Sequence, residues 1–183
     1  LKAHVASIYK KGDPLNPGNY RPISLLDSIY KIYAGLVRNR LMEALDKDID
    51  VAQYGFRKGK STSEPIACLR RLLDRAEASK TPLAITFLDW EEAFDIIKQD
   101  KFLEALERMN IDTKFIRAIR SIYKKPTFAV NTDGITSEWK EQFSGIRQGC
   151  PLSPYLFVIV MTVICRDVHD GLDIDSTLAK GLS

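Results

Sequence analysis

Residues 81–95 read Thr81-Pro82-Leu83-Ala84-Ile85-Thr86-Phe87-Leu88-Asp89-Trp90-Glu91-Glu92-Ala93-Phe94-Asp95. Leu83 to Leu88 has the apolar content and the length of a buried strand, and the run ends in a cluster of carboxylates. A side chain at the carboxyl end of such a strand emerges into a crevice, which is where Asp89 falls. Carboxylates in that position bind hard cations, and Mg2+ typically takes one or two of them plus phosphate oxygens from a substrate. Asp89, Glu91, Glu92 and Asp95 could equally do no more than favour the positive N-terminus of the next helical turn. Spacing alone leaves both readings open.

The chain changes character at the same place. Up to Lys80 it carries 15 Lys/Arg against 9 Asp/Glu, a balance of +6, and the remainder carries 12 against 15, a balance of −3. A basic lobe beside an acidic one suits a protein that attracts a polyanion with one surface and concentrates carboxylates on another, although solvated helix faces give the same split. With 183 residues, 45% hydrophobic and 28% charged, the chain has enough apolar content to bury a core, which excludes wholesale disorder. Cys68, Cys150 and Cys165 are odd in number and form no C-x-x-C pair. That argues against a disulfide framework or a thiolate zinc site and for a reducing, intracellular compartment, nucleus and cytoplasm alike. The longest apolar run, Tyr155 to Cys165, is about half the ~20 residues that cross a bilayer and reads as a buried helix, so no membrane is expected. There is no basic region followed by an apolar leader.

Upstream of residue 81, Ala3 to Tyr9 reads as a strand running into a basic loop, Lys10-Lys11-Gly12-Asp13-Pro14, that continues to Asn19. From Leu25 the spacing of Leu26, Ile29, Ile32/Tyr33, Leu36/Val37, Leu41 and Leu45 predicts an amphipathic helix with Ser24 or Asp27 as N-cap. A loop from Gln53 to Thr62 interleaves aromatics with three cations, and the helix after it, with Pro65 in its first turn, has Ile66, Leu69, Leu72/Leu73 and Ala76 as its expected buried stripe. Downstream, two helices carry Phe102, Leu103, Leu106, Met109 and then Phe115, Ile116, Ile119, Ile122, Tyr123, with Asp100 and Asp112 as caps. Phe128, Val130 and Thr132 alternate up to Asp133-Gly134, a hairpin signal whose return strand would hold Trp139 and Phe143. The loop from Gly145 to Pro151 opens onto the apolar helix through Ser153-Pro154. Its donor-rich Arg147-Gln148 pair is flanked by glycines that let a flat or charged ligand approach the backbone, and an ordinary Gly/Pro turn is the competing reading. Cys150 with His4 or His169 as base lacks the local signature of a cysteine hydrolase.

These loops carry a resemblance. Lys10-Lys11-Gly12-Asp13 with Asn19-Tyr20-Arg21-Pro22-Ile23-Ser24-Leu25-Leu26, then Gln53-Tyr54-Gly55-Phe56-Arg57, then Phe87-x-Asp89-x-x-x-Ala93-Phe94-Asp95, then Arg147-Gln148-Gly149-Cys150-Pro151-Leu152-Ser153-Pro154, resemble successive blocks of a reverse transcriptase of the non-LTR retrotransposon type, in order over about residues 5–165. The resemblance implies an α/β (α+β) fold: right-hand polymerase fingers plus an incomplete palm. Residues 1–82 would be the fingers-like basic lobe and 83–183 the palm portion, with about 123–146 free to pack back on the fingers. The implied activity is RNA-directed DNA polymerisation, adding deoxynucleoside triphosphates to the 3′-hydroxyl of a DNA primer on an RNA template with two Mg2+ ions.

Block by block, the resemblance makes Asp89 a catalytic, metal-binding carboxylate and Phe94 the bulky side chain under the incoming sugar. Gln148 and Gly149 would lie against the incoming nucleotide, Lys11 (or Lys10) and Arg21 would clamp its phosphates, and Phe56 and Arg57 would meet the template. One block departs: no aromatic-x-Asp-Asp follows Pro154, and Asp173-Ile174-Asp175 lacks the adjacent pair. The chain thus resembles fingers plus the first part of a palm, cut at both ends, and is expected to be inactive alone. The alternative is a non-catalytic nucleic-acid-binding or scaffold remnant of a retroelement. Nothing in the sequence indicates an oligomeric state.

Overall fold

The computed structural model describes residues 2–132 and 134–171. Strands β1 (Lys2–Tyr9) and β2 (Tyr20–Leu25) form an antiparallel pair, with Val5 opposite Ser24 and Tyr9 opposite Tyr20. Strand β3 (Thr127–Thr132) lies parallel to β1, with Val5 opposite Val130, and the short strands β4 (Ile135–Thr136) and β5 (Lys140–Glu141) both pair antiparallel with β3. The order β2-β1-β3-β4 therefore places residues far apart in sequence on one ladder.

Local sequence pattern carries residues 10–45 from loop straight to helix and does not reveal β2. The strand holds Pro22, which has no N–H to donate, and it tolerates it because β2 is an edge of the sheet. The 10–19 loop folds on itself: Tyr9 Oη donates to the Gly12 carbonyl at 2.6 Å, Asn19 Nδ2 to the Asp13 carbonyl at 2.9 Å, and Asn16 caps the 3-10 turn Pro17–Asn19. Trp139 and Phe143 lie on either side of β5, outside the return strand expected to hold them.

Helices α1 (Ser28–Leu45), α2 (Ser63–Ser79), α3 (Ala93–Ile96), α4 (Gln99–Arg108), α5 (Thr113–Ile122) and α6 (Ser153–His169) complete the described chain. The apolar run forms α6, as its composition predicts, and its Tyr155, Leu156, Val158, Ile159 and Val163 share one core with Leu41 of α1, Phe102 and Leu106 of α4 and Ile119 of α5. Buried Thr162 is satisfied within the helix, its hydroxyl donating to the Val158 carbonyl at 2.8 Å. Asp112 caps α5 by accepting from Lys114 N at 2.8 Å, whereas α4 is entered through Lys98 and Asp100 sits inside its first turn. Asp27 precedes α1 without a side-chain cap bond.

Two expectations are overturned. Residues 81–90 form no strand and every one of them is exposed, Phe87 and Leu88 to about 80%. A strand requires a hydrogen-bonded neighbour, and none of the described strands pairs with this segment. Helix α2 forms where its periodicity places it, with Pro65 in its first turn, but it contains no buried residue: Ile66, Leu72 and Leu73 face solvent. An apolar stripe records which face could be covered, and among the described residues nothing buries this one. Asp133 of the expected turn and the Asp173-Ile174-Asp175 stretch lie outside the described residues.

Candidate nucleotide and nucleic-acid site

The loop after β5 is fastened on two sides. Gly145 N donates to the Ile97 carbonyl and Ile146 N to the Phe94 carbonyl, both at 2.7 Å, while Ser24 N of β2 donates to the Gln148 carbonyl at 2.7 Å. These approaches explain the two glycines. Gly145 has φ +83° and a Cβ there would sit 2.9 Å from the Asp95 carbonyl oxygen; Gly149 has φ +104° and its Cβ would sit 2.6 Å from the Ser24 carbonyl oxygen. Between them, Gln148 Nε2 donates to Asp95 Oδ2 at 2.7 Å. Burial pushes the Asp95 carboxyl up; the Gln148 N–H draws it back, Glu92 adds to the rise and Lys10 opposes it.

Neighbouring Arg147 is buried, its Nε donating to Gln142 Oε1 at 3.2 Å and its Nη2 to the Thr127 carbonyl at 3.2 Å. Burial pulls its pKa below the ordinary arginine value, against the opposing influence of Tyr30, Tyr123 and Cys150. A cavity of about 500 Å3 opens between the sheet and this loop; Val5, Phe128 and Val130 give it an apolar floor and Lys10, Asp95 and Gln148 a polar wall.

Not every expected residue meets at this place. Lys10, rather than Lys11, lines the cavity. Strand alternation puts Arg21 and Ile23 on the face of β2 opposite Pro22 and Ser24, which line it, so Arg21 stands exposed on the far face. That face still borders Gly149, since Ile23 Cγ2 lies 3.6 Å from the position of a Gly149 Cβ. Phe94 is partly buried, stacked on Phe157 of α6 with centroids 5.1 Å apart and met edge-on by Phe56 at 6.0 Å. Phe56, at φ +58°, is 56% exposed. Asp89 is exposed, in the stretch 81–90 that pairs with no described strand.

Arg57 is different. Its Nε and Nη2 fork onto Asp46 Oδ1 and Oδ2 at 3.0 and 3.1 Å, Nη2 also reaches the Asp46 carbonyl, and Nη1 bonds the carbonyls of Asp50 and Gln53. All five guanidinium donors are thereby engaged within the chain, a geometry that supports a structural clamp on residues 46–57 and not the template contact expected of it. Sequence reasoning misses Asp46 as its partner because eleven residues of separation carry no periodic signal. It places Asp95 only in an acidic cluster, although the Ala93-Phe94-Asp95 block holds the clue.

Residues 8–178 match the family model of the reverse transcriptases (RNA-dependent DNA polymerases). The chain belongs to that family. It is 32% identical over 160 residues to the RNA-directed DNA polymerase from mobile element jockey of Drosophila melanogaster, covering 86% of this chain and 17% of that protein. It is 29% identical over 175 residues to the probable RNA-directed DNA polymerase from transposon BS of the same species, covering 93% of this chain and 19% of that one. The chain thus spans less than a fifth of the length of these relatives. The Pol polyprotein of type-1 retrotransposable element R2 from Nasonia vitripennis is 26% identical over 171 residues, covering 93% of this chain and 16% of that protein, and the kinship is with non-LTR retrotransposons. In fold, the apo telomerase of Candida tropicalis, truncated from its C-terminal domain, superposes with a TM-score of 0.61 at 16% identity over 97% of this chain and 40% of that one. The architecture is the mixed α/β one of polymerase fingers and palm.

Family membership raises the question of divalent metal. Among the described residues no group of three or more His, Cys, Asp or Glu side chains is placed to hold an ion, and Asp89 is one exposed carboxylate. A two-metal centre clamps ions about 3.5–4 Å apart between attacking and leaving oxygens. The described donor set does not fit it, and no chemical step is derived through it. Among the described residues no helix is long and apolar enough to cross a membrane.

Proposed function

We propose that this chain supplies the fingers and part of the palm of an RNA-directed DNA polymerase that extends a DNA primer on an RNA template with deoxynucleoside triphosphates. The observation that carries the reading is the glycine loop pinned between β2 and α3, which sets Gln148 on the wall of a cavity it shares with Lys10 and Asp95. In this reading residues 1–82 are the fingers lobe and 83–183 the palm portion, and residues 123–146 return to the fingers, a role supported by the parallel β1–β3 ladder. Gln148 and Gly149 face the nucleotide, Lys10 or Lys11 and Arg21 attract its phosphates, Phe94 underlies the sugar, and Phe56 touches template. Asp89 is the carboxylate this reading assigns to a Mg2+ ion of a two-metal mechanism, and among the described residues no group of three metal-ligating side chains forms around it.

The loops holding Lys10, Lys11, Lys58 and Lys60, with Arg21 on the edge strand β2, suit a phosphate backbone, because binding by cations releases counterions. The test is fluorescence anisotropy with an RNA-template/DNA-primer duplex across a salt series. Affinity should fall steeply with salt, and Arg21→Glu or Lys11→Glu should weaken it while lowering the salt slope by about one unit each. Salt-independent binding, or none at low salt, would refute the basic lobe as a nucleic-acid surface. Primer extension by a longer protein that contains these residues separates an enzyme from a binding remnant: extension that survives Asp89→Ala there would overturn the role given to Asp89, and extension by residues 1–183 alone would overturn the expectation that they are inactive.

A further inference from the structure

The contact between Asp95 and Gln148 has a consequence for how Gln148 presents itself. A glutamine amide has an accepting oxygen and a donating NH2, and its surroundings decide which end points where. An ionised carboxylate can only accept. Asp95 Oδ2 lies 2.7 Å from Gln148 Nε2, so the NH2 end is held toward α3 and Oε1 is left on the other side. The Gln148 carbonyl is fixed independently by Ser24 N at 2.7 Å, and the two backbone bonds from Gly145 and Ile146 to the 94–97 segment hold Asp95 and the loop in register. Main chain and side chain of Gln148 are thus anchored to two different elements.

We infer that Asp95 is a positioning residue that locks the Gln148 amide in one orientation, so that Gln148 offers the incoming nucleotide its Oε1 acceptor together with one remaining N–H. The inference rests on the reading of Gln148 as nucleotide-facing. It selects a ligand group able to donate a hydrogen bond, such as a hydroxyl, at the Oε1 position. Asparagine at 95 would undo the selection while nearly preserving size, because it could accept from Nε2 or donate to Oε1 with equal ease.

Nitrogen-edited NMR of the glutamine side chains in the full chain reads the orientation directly. In the parent, one Gln148 Nε2 proton should be shifted downfield and slow to exchange. Asp95→Ala should return it to the free-amide position, and Asp95→Asn should broaden or double it. Thermal melts establish that each variant is folded. A parent with no distinguished Gln148 proton, or an Asp95→Asn variant that keeps the parent's single signal, overturns the inference.

A second measurement uses a complementary deoxynucleoside triphosphate with Mg2+ on a pre-bound, chain-terminated primer–template. Asp95→Asn should weaken its binding roughly three- to tenfold, the effect of disturbing one well-placed hydrogen bond, and the loss should vanish in a Gln148→Ala background. Unchanged affinity in Asp95→Asn overturns the positioning role. A parent that binds no nucleotide removes the nucleotide-facing reading instead, and the NMR signals then decide the amide orientation by themselves.

Discussion

Gly149→Ala is the substitution that tests most of the site at once. Two costs arise from its position. The backbone at φ +104° disfavours any L side chain, about 1–3 kcal/mol. The new methyl would lie 2.6 Å from the Ser24 carbonyl oxygen, a backbone atom that cannot swing aside, and overpacking of this kind costs roughly 1–3 kcal/mol. Relief requires moving the loop from β2, which weakens the Ser24–Gln148 bond, worth about 0.5–1.5 kcal/mol. These alternatives overlap, and a net loss of about 3 kcal/mol corresponds to a fall in Tm of about 6–12 °C for a domain this size. Two controls sharpen the result. Gly59→Ala shares a positive φ, +75°, with no atom near the added methyl, and should cost only the strain. Gly35→Ala, inside α1 with nothing within 4 Å, should stabilise by about 0.5–1 kcal/mol. Far-UV circular dichroism melts should rank the proteins, from highest Tm to lowest, as Gly35→Ala, parent, Gly59→Ala, Gly149→Ala. A Gly149→Ala variant that melts with the parent, or no lower than Gly59→Ala, refutes the close approach of loop and strand.

Arg57→Ala should destabilise by roughly 2–3 kcal/mol, discounted because Asp46 is half exposed, and Arg57→Lys should not rescue it, since an ammonium cannot reproduce the fork; primer–template affinity measured well below both melting points should stay within about twofold of the parent. Asp167 is held below the ordinary carboxylate range by Arg108, burial opposing. A depressed folded pKa contributes stability at pH values above the unfolded value and loses it as pH falls through the folded one. Asp167→Asn should therefore lower Tm near neutrality by the equivalent of about 1–2 kcal/mol, with the difference shrinking below pH ~4, as acid-series melts would show. Phe94→Val should both raise ribonucleotide incorporation in a polymerising complex and lower Tm through the lost stack on Phe157. A lower Tm with unchanged sugar discrimination would assign Phe94 to the core alone.

The elements legible in the sequence are those whose cause is local. Helix α6 can be read from an unbroken apolar run, α5 from its period and its Asp112 cap, and α1 from a stripe whose C-terminal half, Val37, Leu41 and Leu45, is indeed buried. Elements that depend on a distant partner are not. Strand β2 owes its existence to β1, so its own residues, broken by Pro22, offer no alternation to follow. Residues 81–90 show the converse: Leu83 to Leu88 has every local feature of a buried strand, and in the described chain no strand lies beside it. Ile29, Ile32 and Leu36 of α1 and the stripe of α2 make the same point, since amphipathicity is written locally and burial is conferred by whatever lies opposite.

At the site the same distinction operates on polar groups. Arg21 and Arg57 are alike in sequence: each directly follows an aromatic residue, Tyr20 and Phe56. Counting donors separates them, because five bonds to Asp46, Asp50 and Gln53 saturate Arg57, while Arg21 stands exposed on an edge strand. The glycines in the Gln148 loop suggest room for a ligand, and the structure shows what occupies that room: the backbone of β2 against Gly149 and of α3 against Gly145. Close approach by protein and close approach by ligand place the same demand on a residue, the absence of a Cβ, and a sequence records only the demand. The Asp95 carboxylate against the Gln148 amide goes further, since it gives that packed loop a polar group of fixed direction. The two glycines thus let the loop meet both β2 and α3, and that packing is what brings the Gln148 amide within hydrogen-bond distance of the Asp95 carboxylate.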